Sequence, residues 1–242
     1  MPQEPLASGP GSRRETAVLA ADHRNGAEPD RARMRAPIRG STRERILREA
    51  SRLFAAQGYH ATTTRQIADV VGIRQPSLFH HFPSKRAIMQ ALLTFDLDAF
   101  SFVESLAASS EPPADRLYQY VRVDVELVST SPYDLSGLYT EEVMGDPLFA
   151  PWDARGQRIH EAVEQIVKDG IASGDFVPMD TVLVREGIYG LLLRLMMLYS
   201  GGRALPPPGL GDEVATFVLR GLLIDATKLP DIRARAEASA SR

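Results

Sequence analysis

Two adjacent histidines, His80 and His81, lie between Phe79 and Phe82 and are followed closely by Lys85. Imidazole can bind a metal, transfer a proton, pack in a core or contact an anion. The side chains alone therefore leave three interpretations open: a metal or acid-base site, a piece of hydrophobic core, or a surface that meets an anion. The surrounding pattern has to select among them.

Helical geometry argues against a joint site at these histidines or at the acidic pair Glu141 and Glu142. Neighbouring residues on a helix point about 100° apart, so adjacent side chains diverge. The sequence holds no HExxH motif, no Gly-rich phosphate loop and no G-x-S-x-G motif. It has no cysteine, which excludes disulfides, Cys-ligated zinc and thiol catalysis. We therefore predict no catalytic residue, no metal site and no cofactor.

Charge is distributed unevenly along the 242 residues, although the net charge is only −3. Residues 31–86 carry 12 Lys and Arg against 3 acids, whereas residues 87–242 carry 13 against 23. A basic segment on an acidic body is typical of a nucleic-acid contact, and a solvated charged face is the alternative. No signal peptide and no membrane-spanning stretch is recognisable, so we expect a cytoplasmic protein.

Composition and periodicity divide the chain into four parts. Residues 1–38 are rich in Gly, Pro, Ala and Arg without apolar periodicity, which predicts a disordered arm. Residues 39–86 are expected to form a small helical domain and residues 87–228 a larger one. Residues 229–242 are expected to be a flexible tail. No strand-like alternation persists, so the fold class is all-α.

Three short helices are predicted in the basic segment. Ile46, Leu47, Ala50, Leu53 and Phe54 form one helical stripe, and Gly58 is a helix-ending glycine. In the next helix, Thr63 and Gln66 have the spacing of a capping box and Gly72 ends the helix. Pro76 is tolerated only in a first turn, so a third helix begins near Gln75. Helix, short Gly-containing turn and helix make a helix-turn-helix over residues 63–82.

The stretch TTRQIADVVGIRQPSLFHHFPSKRAI resembles the DNA-binding motif of the TetR family of bacterial transcriptional regulators. The resemblance extends beyond the helix-turn-helix to the Phe-x-Ser-Lys that follows it. It implies an N-terminal three-helix helix-turn-helix domain followed by a larger helical domain for ligand binding and dimerisation.

The resemblance also assigns the candidate DNA-binding residues. Arg65 is placed beside the groove, where it could pair with guanine or a phosphate, and Gln75, Pro76 and Ser77 are at the leading end of the recognition helix. Lys85 is matched to a phosphate contact. The full set is Thr63, Thr64, Arg65, Gln75, Pro76, Ser77, Phe79, His80, His81 and Lys85. Ile67, Ala68, Val71, Ile73, Leu78 and Phe82 are expected to form the core behind them.

Two residues depart from the family pattern. Phe79 replaces the usual tyrosine and loses a hydroxyl that would bond a phosphate, while Arg74 replaces a serine able to cap the recognition helix. The cap then has to come from elsewhere, with Gln75 as one candidate.

The larger domain is predicted as six helices: residues 84–108, 113–129, 134–143, 151–171, 180–200 and 211–227. The last two are apolar on more than one face, and the resemblance implies that they pair with a twin subunit in a four-helix bundle. Candidate ligand-binding residues are Tyr118, Tyr139, Met144, Trp152, His160, Tyr189, Arg194 and Met197, with ordinary packing as the alternative for each. Arg194 lies inside an apolar helix, where a buried cation needs a partner: an acid across the dimer or an anionic ligand.

The function that follows is a ligand-responsive transcriptional regulator, a repressor that binds a palindromic operator as a homodimer and is released by a small molecule. Its expected partners are double-stranded DNA, a second copy of the chain and an effector of unknown identity, with no membrane. Two alternatives stay open: a DNA-binding dimer without a ligand, and, less favoured, a helical enzyme.

Overall fold

The computed structural model describes residues 40–240, apart from the side chains of residues 97–101 and 239–240. The predicted arm, residues 1–38, lies outside the described residues. Ten α-helices follow one another within the described range, and no β-strand occurs there. None of these helices is long and apolar enough to cross a membrane. The all-α prediction is confirmed.

The first three helices are α1 (Thr42–Gln57), α2 (Thr64–Val71) and α3 (Gln75–His81). Ser41 and Glu44 cap α1, and Thr63 and Gln66 cap α2, each through a reciprocal pair of side-chain and backbone hydrogen bonds. Gly72 takes a left-handed conformation with φ of 77° and ends α2, as its position after Val71 predicts. The predicted apolar residues form the core of the three-helix unit, with Ile73 only partly buried.

The larger domain contains α4 (Lys85–Ala108), α5 (Pro113–Thr130), α6 (Glu141–Met144), α7 (Ala150–Ala172), α8 (Thr181–Tyr199), α9 (Leu210–Leu222) and α10 (Leu229–Ala240). Short 3₁₀ turns at Leu135–Leu138, Pro147–Phe149, Ser200–Gly202 and Ala226–Lys228 connect them. Helix α5 is central and packs against α4, α7, α8, α9 and α10. Helix α4 joins the two domains, since its first turns carry the buried Ile88, Met89 and Leu92.

Two sequence predictions are wrong in this domain. The single helix expected at residues 134–143 is a 3₁₀ turn and the four-residue α6, because Gly137 fits directly against the backbone of α1 at Phe54 and Ala55. The tail expected to be flexible at residues 229–242 is helical up to Ala240. Leu229, Ile232 and Ala236 of α10 are buried. The Arg235 guanidinium also donates two hydrogen bonds to Asp115, at 2.6 and 2.8 Å.

Candidate functional site

The surface of α2 and α3 exposes most of the candidate DNA-binding residues. Pro76, Ser77, Phe79 and His80 of α3 are exposed, as is Arg65 on the first turn of α2. Phe79 is 43% exposed, which is a large exposure for a phenylalanine. His81 is half-buried, and its ring lies edge-on to that of His80 at 5.8 Å. Within residues 40–240 no three His, Asp or Glu side chains are grouped as metal ligands.

Thr63, Thr64 and Gln75 hold α2 and α3 in position. The Thr63 hydroxyl accepts from the Gln66 backbone N–H at 3.2 Å, so it serves the helix cap. The Gln75 side-chain amide donates to the Thr64 hydroxyl at 3.0 Å and thereby links the starts of the two helices. Gln75 does not cap α3, which begins without a side-chain cap after Arg74. These three residues support the exposed face as well as belonging to it.

Lys85 has an internal role that sequence reasoning missed. Its ammonium group donates to the backbone carbonyl oxygens of Tyr59, His60 and Thr62, at 2.6, 3.2 and 2.7 Å. It also lies 4.3 Å from the centre of the Tyr59 ring. Burial lowers the pKa of Lys85, against the opposing charge of Glu142. Lys85 therefore ties α4 to the turn after α1, and a phosphate contact by this side chain would have to replace one of these bonds.

An interior cavity opens in the larger domain between α4, α5, α7 and α8. Five of the eight candidate ligand-binding residues line it: Tyr139, Met144, Trp152, His160 and Tyr189. Other lining residues include Asp96, Tyr120, Asp124, Asp153, Leu192 and Met196. The empty space between them is about 700 Å³, counting the part open to solvent.

Tyr118, Arg194 and Met197 do not line this cavity. Tyr118 is buried on another side of α5, where its hydroxyl bonds the Asp212 carboxylate at 2.9 Å. Arg194 is exposed on α8 in the single chain and does not reach the cavity, so burial against an acid across the dimer stays a prediction. The apolar residues around Arg194 in the sequence are spread over several faces of α8, and the arginine occupies the face turned to solvent.

Asp96 and Asp124 are the cavity residues that sequence reasoning missed. The Tyr139 hydroxyl donates to Asp96 at 2.8 Å. Burial raises the pKa of Asp96 to about 7, while the Tyr139 hydroxyl and the nearby Trp152 indole N–H act in the opposite direction. Burial and the neighbouring Asp96 charge raise the pKa of Asp124 well above its ordinary value. An aspartate inside an apolar helical stretch, as in YVRVDVELV, is the only signal in the sequence that could have pointed to either residue.

Residues 134–146 connect the cavity to the helix-turn-helix domain. Tyr139 and Met144 line the cavity. Between them, the Glu142 carboxylate accepts hydrogen bonds from the backbone N–H groups of Tyr59 and His60 in the turn after α1. At the start of the segment, the Asp134 backbone N–H donates to the Ser51 hydroxyl of α1 at 3.0 Å. The same chain segment therefore lines the cavity and contacts α1, so a movement of the cavity wall can reach α1 through it.

Helices α8 and α9 leave an apolar groove on the surface. Met179, Leu183, Phe217 and Gly221 contribute to its lining. Leu183 is 64% exposed and Phe217 is 70% exposed. Exposed apolar side chains clustered on neighbouring helices indicate a protein-protein interface.

Comparison with known proteins is consistent with this geometry. Residues 46–92 match the family model described as bacterial regulatory proteins, tetR family. The chain is similar to the HTH-type transcriptional repressor KstR2 of Mycolicibacterium smegmatis, with 28% identity over 187 residues, covering 75% of this chain and 91% of the relative.

Solved structures show the same fold. The crystal structure of Mycobacterium smegmatis AmtR aligns with a TM-score of 0.68 and 31% identity, covering 84% of this chain and 97% of AmtR. The ketosteroid transcriptional regulator KstR2 of Mycobacterium tuberculosis aligns with a TM-score of 0.67 and 28% identity, covering 77% of this chain and 97% of that one.

Proposed function

Because the chain belongs to the TetR family and is a DNA-binding transcriptional regulator, we propose that it represses transcription by binding a palindromic operator as a homodimer. A small molecule in the interior cavity then releases it from DNA. The relatives are transcriptional regulators, so the proposal includes no catalytic activity. It acts in the cytoplasm, where bacterial DNA lies.

The exposed leading half of α3 is the observation that carries the DNA-binding part of this proposal. Pro76, Ser77 and His80 project from a helix whose opposite side, at Leu78, is completely buried. Arg65 is exposed on the neighbouring α2. A recognition helix meets base edges with its N-terminal residues, and a guanidinium beside it can pair with guanine or a phosphate. The proposed contacts are those of Arg65, Gln75, Pro76, Ser77, Phe79, His80 and His81.

The segment at residues 134–146 supports the ligand response. A ligand changes DNA affinity only if it binds one arrangement of the two recognition helices better than another. Tyr139 and Met144 give a ligand access to this segment, and Glu142 connects the segment to the α1–α2 turn. The buried cavity favours this proposal over a DNA-binding dimer that has no ligand.

Binding of labelled DNA fragments that flank the protein's own gene tests the proposal. We expect site-specific, salt-sensitive binding, with Arg65→Ala weakening it about tenfold or more, since a bidentate arginine contact is worth about 1–3 kcal/mol. Arg158→Ala, which removes an exposed arginine from α7, is the matched control and should change the affinity less than twofold. Binding that is insensitive to salt and unaffected by Arg65→Ala would contradict the proposed interface.

A further inference from the structure

The cavity in the larger domain is lined by acids without a lysine or arginine to balance them. Asp96, Asp124 and Asp153 contribute three carboxyl groups, and no lysine or arginine is among the lining residues. Asp96 and Asp124 are each 2% exposed. Removing a carboxylate from water costs free energy unless a cation or hydrogen-bond donors replace the water. Burial favours the neutral form of both groups, and a bound cation would supply the positive charge that lets them ionise, so the cavity suits a positively charged occupant.

One polar atom in the cavity wall, the buried Asp124 Oδ1, lacks a hydrogen-bond partner among the described residues. Buried polar atoms are nearly always hydrogen-bonded, so an unsatisfied one in a cavity points to a ligand or water. Asp96 differs from Asp124, because the Tyr139 hydroxyl already donates to it. Asp124 is consequently the carboxyl group most in need of a donor or a positive charge.

Aromatic rings surround these carboxyl groups. Tyr139 and Trp152 meet edge to face with ring centres 5.3 Å apart. On the other side, the His160 and Tyr189 rings lie 4.6 Å apart. Burial lowers the pKa of His160, so its imidazole adds no positive charge near neutral pH. Aromatic faces attract ammonium groups through their quadrupoles, and such attraction is strongest where water is excluded.

We propose that the effector is an organic cation, an ammonium group carried on an apolar body, with its charge held by Asp124 and Asp96 inside the ring cluster. Leu192, Leu193 and Met196 form the apolar side of the same cavity and would contact the body of the ligand. This inference rests on the proposed ligand response, but it is tested by direct binding without DNA. An anionic ligand would oppose ionisation of these carboxyl groups, and no lysine or arginine lines the cavity to balance its charge.

A metal ion fits these observations less well. Among the described residues, no group of three acidic or histidine side chains is arranged to hold one. The lining is also mainly apolar and aromatic, whereas hard cations require several oxygen ligands. An uncharged molecule is the remaining occupant, and comparison of a cation with an uncharged probe of the same shape distinguishes the two.

Isothermal titration calorimetry of the full chain with three probes of similar size tests the inference. Phenyltrimethylammonium has a fixed positive charge, tert-butylbenzene is its uncharged carbon analogue, and benzoate is an anion. We expect the cation to bind at least tenfold more tightly than the carbon analogue, and benzoate not to bind. Equal affinity for the cation and its carbon analogue, or no binding of the cation at millimolar concentration, would overturn the inference.

Substitutions of residues that line the cavity test where the cation binds. Asp124→Asn keeps the side-chain volume and should weaken phenyltrimethylammonium tenfold or more while leaving tert-butylbenzene within twofold. Trp152→Leu should weaken the cation as well, because it removes a ring but keeps apolar bulk. Glu161→Gln, which removes one negative charge from the exposed side of α7, is the control and should change nothing. If Asp124→Asn folds with an unchanged circular dichroism spectrum and binds the cation like the unmodified chain, the assignment is wrong.

A separate measurement of operator binding distinguishes failure of this inference from failure of the proposed function on which it rests. Operator binding by the ligand-free chain does not depend on which molecule the cavity accepts. A chain that binds operator DNA but does not discriminate between the cation and its carbon analogue would keep the proposed function and lose the organic cation. A chain that binds the cation but no operator would keep the organic cation and lose the proposed function.

Discussion

At the scale of single residues, the buried Asp96 makes stability depend on pH. Its pKa is raised from 3.8 to about 7 by burial, although the Tyr139 hydroxyl donates to it. At a pH below 3.8 the carboxyl is protonated in both the folded and the unfolded chain. As the pH rises from 3.8 to 7, the unfolded chain releases the proton first, so the folded state becomes progressively less favourable. Above pH 7 the penalty is constant.

Asp96→Asn should therefore stabilise the chain by an amount that grows with pH. The asparagine keeps an oxygen for the Tyr139 hydroxyl but cannot ionise. We expect the gain in the free energy of unfolding to be small at pH 4 and to reach at most about 4 kcal/mol at pH 8, since each unit of pKa shift corresponds to about 1.4 kcal/mol. Urea unfolding at several pH values measures it.

Glu161→Gln is the control for this prediction, because Glu161 is exposed on α7 and its replacement should leave the pH dependence unchanged. A stability difference between Asp96→Asn and the unmodified chain that is the same at pH 4 and pH 8 would show that folding does not raise the pKa of Asp96. Asp124 contributes in the same direction, so some pH dependence should persist in the Asp96 variant.

The residues that sequence could identify are those whose partners are close in the chain. Thr63 and Gln66 form their cap three residues apart, and Gly72 needs only its own backbone conformation. Asp96 and Asp124, by contrast, acquire their roles from contacts between helices that are distant in sequence. Lys85 is a similar case, because its carbonyl partners are on a turn more than twenty residues earlier. Periodicity carries no information about such contacts.

At the scale of elements, the short segment from Asp134 to Asp146 determines how the two domains touch. A Cβ atom on Gly137 would lie 2.7 Å from the backbone nitrogen of Ala55, so only glycine permits this approach to α1. Gly58 is constrained from the other side, since a Cβ there would lie 2.8 Å from Glu142 Oε2 and its φ is +87°. The helix predicted over this segment was wrong because docking on α1, rather than local propensity, shapes it.

Glu142→Ala should loosen the turn between α1 and α2. The Glu142 carboxylate accepts from the backbone N–H groups of Tyr59 and His60, and hydrogen bonds to charged groups contribute about 1.5–3 kcal/mol. We expect the exchange of these two amides with deuterium to become about tenfold faster or more, because about 1.4 kcal/mol corresponds to a factor of ten. Mass spectrometry of a peptide covering this turn measures the rate.

The neighbouring residue supplies a matched control. Glu141 is exposed at the start of α6, and Glu141→Ala removes the same charge without touching the turn. It should leave the exchange of Tyr59 and His60 unchanged. Equal exchange in both variants would mean that α6 does not restrain the helix-turn-helix domain and that a ligand must act through another contact.

At the scale of the whole molecule, the groove between α8 and α9 suits a second copy of the chain. Among its lining residues, Met179, Leu183 and Phe217 are 43%, 64% and 70% exposed. Cβ atoms added at Gly187 and Gly221, which also line it, would meet nothing within 4 Å in the single chain. Sequence could indicate this surface, because α8 and α9 are apolar on more than one face and a single chain can bury only one of them.

Phe217→Asp tests the homodimer and its consequence for DNA binding together. A charge in the centre of an apolar interface cannot be solvated, so the variant should sediment as a monomer at micromolar concentration while the unmodified chain sediments as a dimer. Two linked recognition helices raise the effective concentration at the second half-site, and their separation should lower operator affinity by about a hundredfold or more.

Leu205→Asp is the control, since Leu205 is 94% exposed but does not line the groove. It should remain dimeric with full affinity. A Phe217→Asp chain that stays dimeric would move the interface away from α8 and α9, and a monomer that keeps full operator affinity would contradict two-fold recognition of a palindrome.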